Sequence, residues 1–290
     1  MPPSAPDALT ADTWVIDPRR SSVLDRAREL WAYRYLLWYF ASNALQAMYK
    51  RSSLGWIWLL LRISGPVGLN SIIFGGVLNV EAPGGKPYFL FFLCGTTTWM
   101  LFERSLLFIT RSLERNRKLI TKVYFPRLIL PLSAVAPAVL YLVILMLVLA
   151  GTLIYFHQTR GVWYIEARPR LLLSAAMVVL SVVFAVAVGL WTSVLQTRIR
   201  DIRMGLRYLM PFWMLLTPVI YPMSKIPAKY HWLVAINPMA PIVETFKWGT
   251  LGDGTLPLGG LVTSLVLTTA TLITGLWFFN REESAAIDKL

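Results

Sequence analysis

The chain has 290 residues, 56% of them hydrophobic, and carries a formal net charge of +13. Its mean hydropathy of +0.58 is too high for an ordinary soluble domain, and the placement of its basic residues argues against a nucleic-acid partner. A single cysteine, Cys94, excludes an intrachain disulfide and a thiolate metal cluster.

The N-terminal part of the sequence predicts a tail followed by an amphipathic helix. Residues 1–20 are rich in Pro, Ala and Asp and lack an apolar core, which predicts a flexible cytoplasmic tail and no signal peptide. Residues 21–55 mix Arg with many Trp and Tyr residues, a pattern typical of a helix in the membrane interface. The alternative is that residues 30–49 cross the bilayer, which would bury Arg34 and give seven crossings. We expect the interfacial helix, because the charge distribution favours an even number of crossings.

Six apolar runs follow and predict six membrane-spanning helices in a permease domain of residues 56–290. About 20 apolar helical residues cross a hydrocarbon core about 30 Å thick, and five of the runs reach that length. The fifth run is shorter and is interrupted by Pro211, Pro218 and Pro222. The runs cover residues 56–80, 88–110, 128–156, 171–195, 208–221 and 256–279. The predicted fold class is therefore an all-α membrane protein.

Lys and Arg residues between the runs fall mostly on one side of the predicted membrane. If both termini lie in the cytoplasm, the outer side holds only Lys86, Arg160, Arg168, Arg170, Lys225, Lys229 and Lys247. Cytoplasmic loops of membrane proteins carry such an excess of positive charge. We therefore predict a multi-pass protein of a bacterial plasma (inner) membrane with both termini in the cytoplasm, and a basic charge that sets orientation.

The first predicted cytoplasmic loop, between the second and third runs, contains a short amphipathic segment. Leu113, Leu119, Ile120 and Val123 recur near helical spacing, and Pro126 ends the segment. A short helix of this kind fits the groove of a soluble partner. A solvated basic loop that only sets the orientation is an equally good interpretation of these residues alone.

The second cytoplasmic loop contains four charged residues for which we predict a role in loop geometry. These residues are Arg198, Arg200, Asp201 and Arg203. Asp201 can pair with Arg198 three residues earlier or with a neighbouring helix. An exposed pair contributes only about 0.2–1 kcal/mol, so its expected role is to fix the shape of the loop.

The segment after the fifth run predicts two short helices separated by a proline-rich turn. The helices, at about residues 228–236 and 241–248, are each too short to cross a bilayer. We therefore expect a re-entrant helical hairpin between spans five and six, dipping into the outer leaflet and shielded from lipid by the other spans. Such elements usually line a pore or close it.

The sequence lacks the motifs of a catalytic or metal site. No phosphate-binding loop of the form G-x-x-x-x-G-K-[ST] occurs. His157 and His231 stand in no metal-binding or nucleophile pattern. Glu103 and Arg104 fall toward the cytoplasmic end of the second run, so structural pairing is favoured over a proton relay. We predict that the chain is not an enzyme and has no catalytic residue, no metal and no bound cofactor.

Five motifs, in order along the chain, resemble the permeases of polysaccharide ABC exporters. They are YKRSSLGW at 49–56, KLITKVYFPRLILPLS at 118–133, RIRDIR at 198–203, TPVIYP at 217–222 and NPM at 237–239. The similarity extends from about residue 34 to the end of the chain. The chain departs from the family at Met48, Ser52 and Ser53, where more polar or basic residues are usual.

The resemblance implies a homodimer paired with two copies of a separate ATP-binding subunit, which would hold ATP and Mg²⁺. Members of that family move lipid-linked polysaccharides such as O-antigen, galactan or teichoic acid to the outer side of the plasma membrane. The resemblance also implies a coupling helix at residues 116–124, seated on the ATPase, with residues 21–49 as a second contact. The coupling residues so predicted are Arg115, Asn116, Arg117, Lys118, Ile120, Thr121, Lys122 and Tyr124.

The same resemblance implies an aromatic-lined glycan path and an outer gate. Ring faces stack on the apolar C–H surfaces of sugars, and the predicted path residues are Trp99, Phe102, Trp213 and Tyr221. For each of these residues taken singly, helix packing or interfacial anchoring explains the aromatic side chain at least as well. The predicted gate consists of Pro222, Tyr230, Asn237, Pro238 and Pro241.

Three other functions fit parts of the pattern. A permease for a small lipid or a drug would share the fold, although such exporters usually carry larger outer domains or a fused ATPase. A membrane glycosyltransferase or acyltransferase needs clustered carboxylates or a His-Asp pair near one face, and the sequence shows neither. A proton-coupled transporter needs carboxylates at mid-membrane, for which Glu103 alone is weak support.

Overall fold

A computed structural model describes residues 23–49, 55–120, 125–165, 169–199, 201–252 and 256–288. Every regular element among these residues is helical, which confirms the all-α prediction. The α-helices are α1 (Val23–Ala32), α2 (Arg34–Tyr49), α3 (Gly55–Ser71), α4 (Tyr88–Thr110), α5 (Ser112–Arg115), α6 (Arg117–Ile120), α7 (Ile129–Ser133), α8 (Ala136–Arg160), α9 (Arg170–Arg198), α10 (Ile202–Leu216), α11 (His231–Ile236), α12 (Met239–Leu251) and α13 (Leu258–Asp288). A π-helical segment, Ile72–Val77, continues α3, and single 3₁₀ turns occupy Pro83–Gly85, Met223–Lys225 and Ala228–Tyr230.

Helices α4 and α9 form the centre of the bundle. Helix α4 packs against α8, α9 and α12, and α9 also packs against α12 and α13. Close approach of the central pair depends on Gly189, where an added Cβ would lie 2.5 Å from Ile109 Cγ2. The Thr110 and Thr192 hydroxyls lie 2.7 Å apart across the same contact. The central pair is therefore held by tight packing and a buried polar contact.

Four helical segments among the described residues are long and apolar enough to cross a membrane. They are Ile57–Val77, Ile129–Arg160, Arg170–Arg198 and Leu258–Glu282, which match the first, third, fourth and sixth predicted runs. The second run forms α4, a helix of 23 residues made more polar by its threonines, Glu103 and Arg104. Most of α4 is buried, because the other helices surround it.

The fifth predicted run differs from the helix that forms there. Helix α10 begins at Ile202, earlier than the predicted start at 208, and ends at Leu216 before the predicted end at 221. It ends there because Pro218 cannot continue a helix and disfavours helical backbone at Thr217, which is extended (φ −102°, ψ 134°). With 15 residues, α10 is shorter than a full bilayer span. The six-span count stays a prediction.

The predicted interfacial segment is helical but divided into α1 and α2 at Tyr33. Helix α2 packs on α7 and α8 through a face that includes the buried Phe40 and Ala41. Its other face leaves Tyr35 and Trp38 more than 70% exposed, at 74% and 72%. Neither helix is among the candidate spans. Residues 1–20 lie outside the described residues, and the interfacial position of α1 and α2 stays a prediction.

Candidate functional site

The first predicted cytoplasmic loop forms two short helices, α5 and α6, divided at Asn116. The Asn116 side chain stabilises this division, because its Nδ2 donates to the Ser112 carbonyl oxygen at 2.8 Å. Among the predicted coupling residues, Arg115, Arg117 and Lys118 are exposed, and Asn116 and Ile120 are partly buried. Thr121, Lys122 and Tyr124 lie outside the described residues. The described part of the loop therefore presents a basic surface.

A polar network joins this loop to the second predicted cytoplasmic loop. The Gln196 amide, on α9, donates to Glu114 Oε2 over a long 3.5 Å and accepts from the Arg203 backbone N–H at 2.8 Å. Arg203 Nη1 lies 4.0 Å from the same Glu114 oxygen. Because Glu114 belongs to α5 and Arg203 to α10, the network couples the positions of these two helices through α9.

The partner of Arg198 differs from Asp201, which the sequence offered as one possibility. Arg198 Nη2 pairs with Glu282 Oε2 of α13, not with Asp201. Asp201 precedes α10, and its carbonyl oxygen accepts the Gly205 N–H at 2.8 Å. The Arg198–Glu282 pair therefore fixes the loop to the last helix. Arg200 lies outside the described residues.

Arg111, which follows α4, lies close to several other positively charged side chains. Its pKa is lowered, first by partial burial and next by Arg203, with further contributions from Arg115 and Arg207. Glu114 acts in the opposite direction and only partly offsets them. Around Arg111, at the junction of the two loops, three neighbouring arginines therefore act against a single carboxylate.

Three of the four predicted path residues meet in one aromatic cluster. Trp99 and Phe102 of α4 lie 5.5 Å apart between ring centroids, and Trp213 of α10 lies 6.3 Å and 5.1 Å from them. Phe184 of α9 stacks on Phe102 at 5.3 Å. Trp99 and Phe102 are at most 1% exposed. In this subunit the cluster packs α10 against α4 and α9, and its role in a substrate path stays a prediction.

Tyr221, the fourth predicted path residue, lies apart from that cluster. Its hydroxyl donates to the Leu215 carbonyl oxygen, and its ring lines a cavity of about 420 Å³. Tyr230, a predicted gate residue, lines the same cavity. Both predicted helices of the outer hairpin form, as α11 and α12, although their insertion in the outer leaflet stays a prediction.

Asn237, another predicted gate residue, connects the turn between α11 and α12 to the end of α10. Its Oδ1 accepts from Trp213 Nε1 at 3.0 Å and from the Met239 backbone N–H at 3.1 Å. Its Nδ2 donates to Thr217 Oγ1 at 2.8 Å and to the Leu216 carbonyl oxygen at 3.3 Å. A single buried side chain thus bonds groups at the end of α10 and at the start of α12.

The remaining predicted gate residues are prolines around the same hairpin. The Pro238 carbonyl oxygen accepts from Ser264 Oγ of α13 at 2.8 Å, which attaches the turn to the last helix. Pro222 and Pro241 line a larger cavity of about 660 Å³ beside α12. The structure therefore gathers the five predicted gate residues around α11, α12 and their two cavities.

Sequence analysis missed Lys247, which it counted as an outer-side charge. Lys247 lies inside α12 and is only 4% exposed. Its Nζ donates to the Pro218 carbonyl oxygen and, at 3.2 Å, to that of Val219, and it lies 3.6 Å from the Phe91 ring centroid. Carbonyls just beyond a helix lack intrahelical donors, so the ammonium group satisfies the chain where α10 has ended. The prolines of the TPVIYP segment mark a break in the helix, where carbonyl groups need a donor. Nothing in the sequence identifies Lys247 as that donor.

Glycine at position 95 is expected to be required for this contact. In Gly95→Ala, the added Cβ would lie 2.7 Å from Lys247 Cε and 2.9 Å from the Val219 carbonyl oxygen. Because a backbone oxygen cannot move aside freely, we expect a loss of about 1–3 kcal/mol in stability, measured as thermal unfolding of the full chain in detergent.

The matched control is Gly151→Ala in α8. An added Cβ there meets no atom within 4 Å, and both variants gain the same helix propensity. Gly151→Ala should unfold at or above the temperature of the unmodified chain. Equal unfolding temperatures for the two variants would contradict the close contact of α4 with the segment after α10.

Comparison with known proteins identifies the family of the chain. Residues 35–251 match the model of the ABC-2 type transporter family. The chain is 28% identical over 225 residues to the O-antigen export system permease protein RfbA of Myxococcus xanthus, covering 76% of this chain and 82% of that protein. Two proteins of the same name from Klebsiella pneumoniae are each 27% identical over 255 residues, covering 85% of this chain and 91% of theirs. The chain therefore belongs to the ABC-2 type transporter family, as the permease of a type-2 ABC exporter.

Proposed function

We propose that the chain exports a lipid-linked polysaccharide across the plasma membrane, driven by a separate ATP-binding subunit. The observation that carries the proposal is the similarity to O-antigen export permeases across 85% of this chain and 91% of theirs. A permease of this family works with an ATP-binding subunit, and the exposed basic surface of α5 and α6 supports a docking role for that loop. ATP and Mg²⁺ belong to the partner in this scheme.

The proposed assembly is a homodimer of six-span subunits with two ATP-binding subunits. Helices α4 and α10 supply the second and fifth crossings, α1 and α2 lie in the interface, and both termini are cytoplasmic. The basic charge on the proposed inner loops supports this orientation. The outer hairpin of α11 and α12 is re-entrant, and the burial of α12 against α4 and α9 supports that position.

The proposed mechanism begins with closure of the ATP-binding subunits on ATP. Movement of α5 and α6 reaches α9 and α10 through Glu114, Gln196 and Arg203. Helix α10 carries Trp213, which bonds Asn237 in the turn of the outer hairpin. Motion at the cytoplasmic loops is therefore transmitted along α10 to the gate, while ATP hydrolysis in the partner resets the cycle.

The glycan's path follows the aromatic residues at the faces of α4 and α10. Trp99, Phe102 and Trp213 pack inside the subunit, so they would shape the wall of the path when α10 moves. Tyr221 lines the outer cavity and is placed to contact sugar near the exit. Aromatic faces suit this task because they offer large apolar area with few rotatable bonds.

Deleting the gene for this chain in its own bacterium tests the proposed function. We expect loss of the surface polysaccharide and accumulation of its lipid-linked form on the cytoplasmic side, measured by glycan staining and lipid extraction. Restoring the gene should restore export. Normal surface polysaccharide, together with increased sensitivity to a drug or loss of a small lipid, would instead support the alternative exporter function.

A further inference from the structure

A cleft of about 310 Å³ lies between α2, the segment that joins α4 to α6, α7 and the start of α8. The polar part of its wall includes Asn43 of α2 and Ser133 of α7 together with Arg111, Ser112, Arg115 and Asn116, and apolar residues line the rest. No Asp or Glu is among the described residues that line it. The cleft shares Arg115 and Asn116 with the predicted coupling residues, but Arg111, Ser112 and Asn43 belong to no site described above and call for a separate explanation.

Positive charge in and around the cleft is not balanced. Arg115 follows Arg111 by one helical turn, since the Arg115 N–H donates to the Arg111 carbonyl oxygen at 3.0 Å, and both side chains line the cleft. Arg203 and Arg207 add positive charge from α10. The neighbouring Glu114 is already shared with α9 and α10 through the polar network. A bound anion would relieve this repulsion.

Ser112 adds a hydrogen-bond donor that is not used. Its side chain is 3% exposed, and its hydroxyl has no partner within the described part of the chain. A buried polar group left without a partner costs free energy, so a ligand that accepts its hydrogen bond gains affinity. Two guanidinium groups and a hydroxyl on consecutive turns form the donor set that phosphate oxygens accept.

We propose that this cleft binds a phosphate or pyrophosphate group at the level of the cytoplasmic headgroups. Tyr39 of α2 lines the cleft, and the exposed aromatic face of α2 is typical of a membrane interface. Two molecules carry this chemistry there: the lipid carrier of a glycan, through its phosphate or pyrophosphate linkage, and an anionic phospholipid. The first source, and the side of the membrane, rest on the proposed function.

The test measures binding to the full chain in phosphatidylcholine nanodiscs. Three probes are titrated separately: a long-chain prenyl pyrophosphate, phosphatidylglycerol added to the bilayer, and inorganic pyrophosphate. Native mass spectrometry gives the bound fraction. We expect Arg111→Gln to weaken binding about tenfold, since it removes a hydrogen bond between two charged groups. Ser112→Ala should weaken it several-fold without disturbing the fold.

Arg207→Gln is the matched control, because it removes one charge of the same cluster from a residue that does not line the cleft. It should change affinity by less than about twofold, as expected for a screened charge at the surface. Equal weakening by Arg111→Gln and Arg207→Gln, or no weakening by Arg111→Gln and Ser112→Ala, would overturn the proposal.

The three probes identify the source of the phosphate. Arg111-dependent binding of the prenyl pyrophosphate alone points to the glycan carrier, equal binding of phosphatidylglycerol points to membrane lipid, and binding of inorganic pyrophosphate points to the headgroup alone. Each result supports a phosphate site. Because the measurement needs neither ATP nor transport, Arg111-dependent binding in a chain that exports no glycan would reject the proposed function and leave the cleft established.

Discussion

Lys118→Glu is expected to reduce ATP-driven glycan export by tenfold or more, while the isolated ATP-binding subunit keeps its hydrolysis rate. Lys118 is exposed on α6, in the basic surface proposed to dock on that subunit. A surface that binds this basic segment must be complementary in charge, and like charges placed together at an interface cost several kcal/mol. Such a cost exceeds the roughly 1.4 kcal/mol that corresponds to a tenfold change. Export and ATP hydrolysis are measured together in vesicles that contain both subunits.

The control for this variant is Arg160→Glu, which reverses an exposed charge at the C-terminal end of α8. Export by Arg160→Glu should stay close to that of the unmodified chain. If both variants lose export equally, the loss reflects net charge and not docking. Unchanged export by Lys118→Glu would remove α6 from the contact with the ATP-binding subunit.

Lys247→Met is expected to loosen the outer hairpin. Methionine fills a similar volume but cannot donate, so the Pro218 and Val219 carbonyl oxygens lose the donor that satisfies them. Buried acceptors left unsatisfied cost about 1–3 kcal/mol, which shifts the balance between a docked and an undocked hairpin by about five- to 150-fold. Hydrogen exchange of the α12 amides should increase accordingly, and the unfolding temperature should fall.

Lys229→Met serves as the control in the same hairpin. Lys229 is exposed, and its Nζ lies 4.8 Å from the ring centroid of the adjacent Tyr230. Its replacement should change the free energy of unfolding by no more than about 0.5 kcal/mol. Equal exchange of the α12 amides in the two variants would show that the buried ammonium does not hold the hairpin.

Apolar length predicted the helices of the bundle well, because bilayer thickness sets the length of each run. The runs at 56–80, 128–156, 171–195 and 256–279 contain the four candidate spans or their apolar parts. The start of α10 was predicted too far along the chain, because Arg203 and Arg207 interrupt the apolar pattern. The helix itself includes both residues. Hydropathy locates apolar runs, and it does not locate the polar first turns of a helix.

The candidate site was predicted less completely, because its contacts join distant parts of the chain. The motif NPM contains Asn237, but its partners on α10 lie 20 to 24 residues earlier in the chain. Lys247 was counted only as an outer-side charge, since nothing near it in sequence marks the carbonyls it binds 28 and 29 residues earlier. The Arg198–Glu282 pair spans 84 residues. Such pairings depend on which helices pack together. A count of charges along the chain does not show this.

Reconstituted vesicles test the central claim that this chain is a membrane conduit powered by another subunit. Glycan translocation and ATP hydrolysis are measured with the purified permease alone, with the ATP-binding subunit alone, and with both. We predict translocation only when both subunits and ATP are present, and no ATP hydrolysis by the permease alone. ATP hydrolysis or glycan export by the permease without its partner would contradict the account.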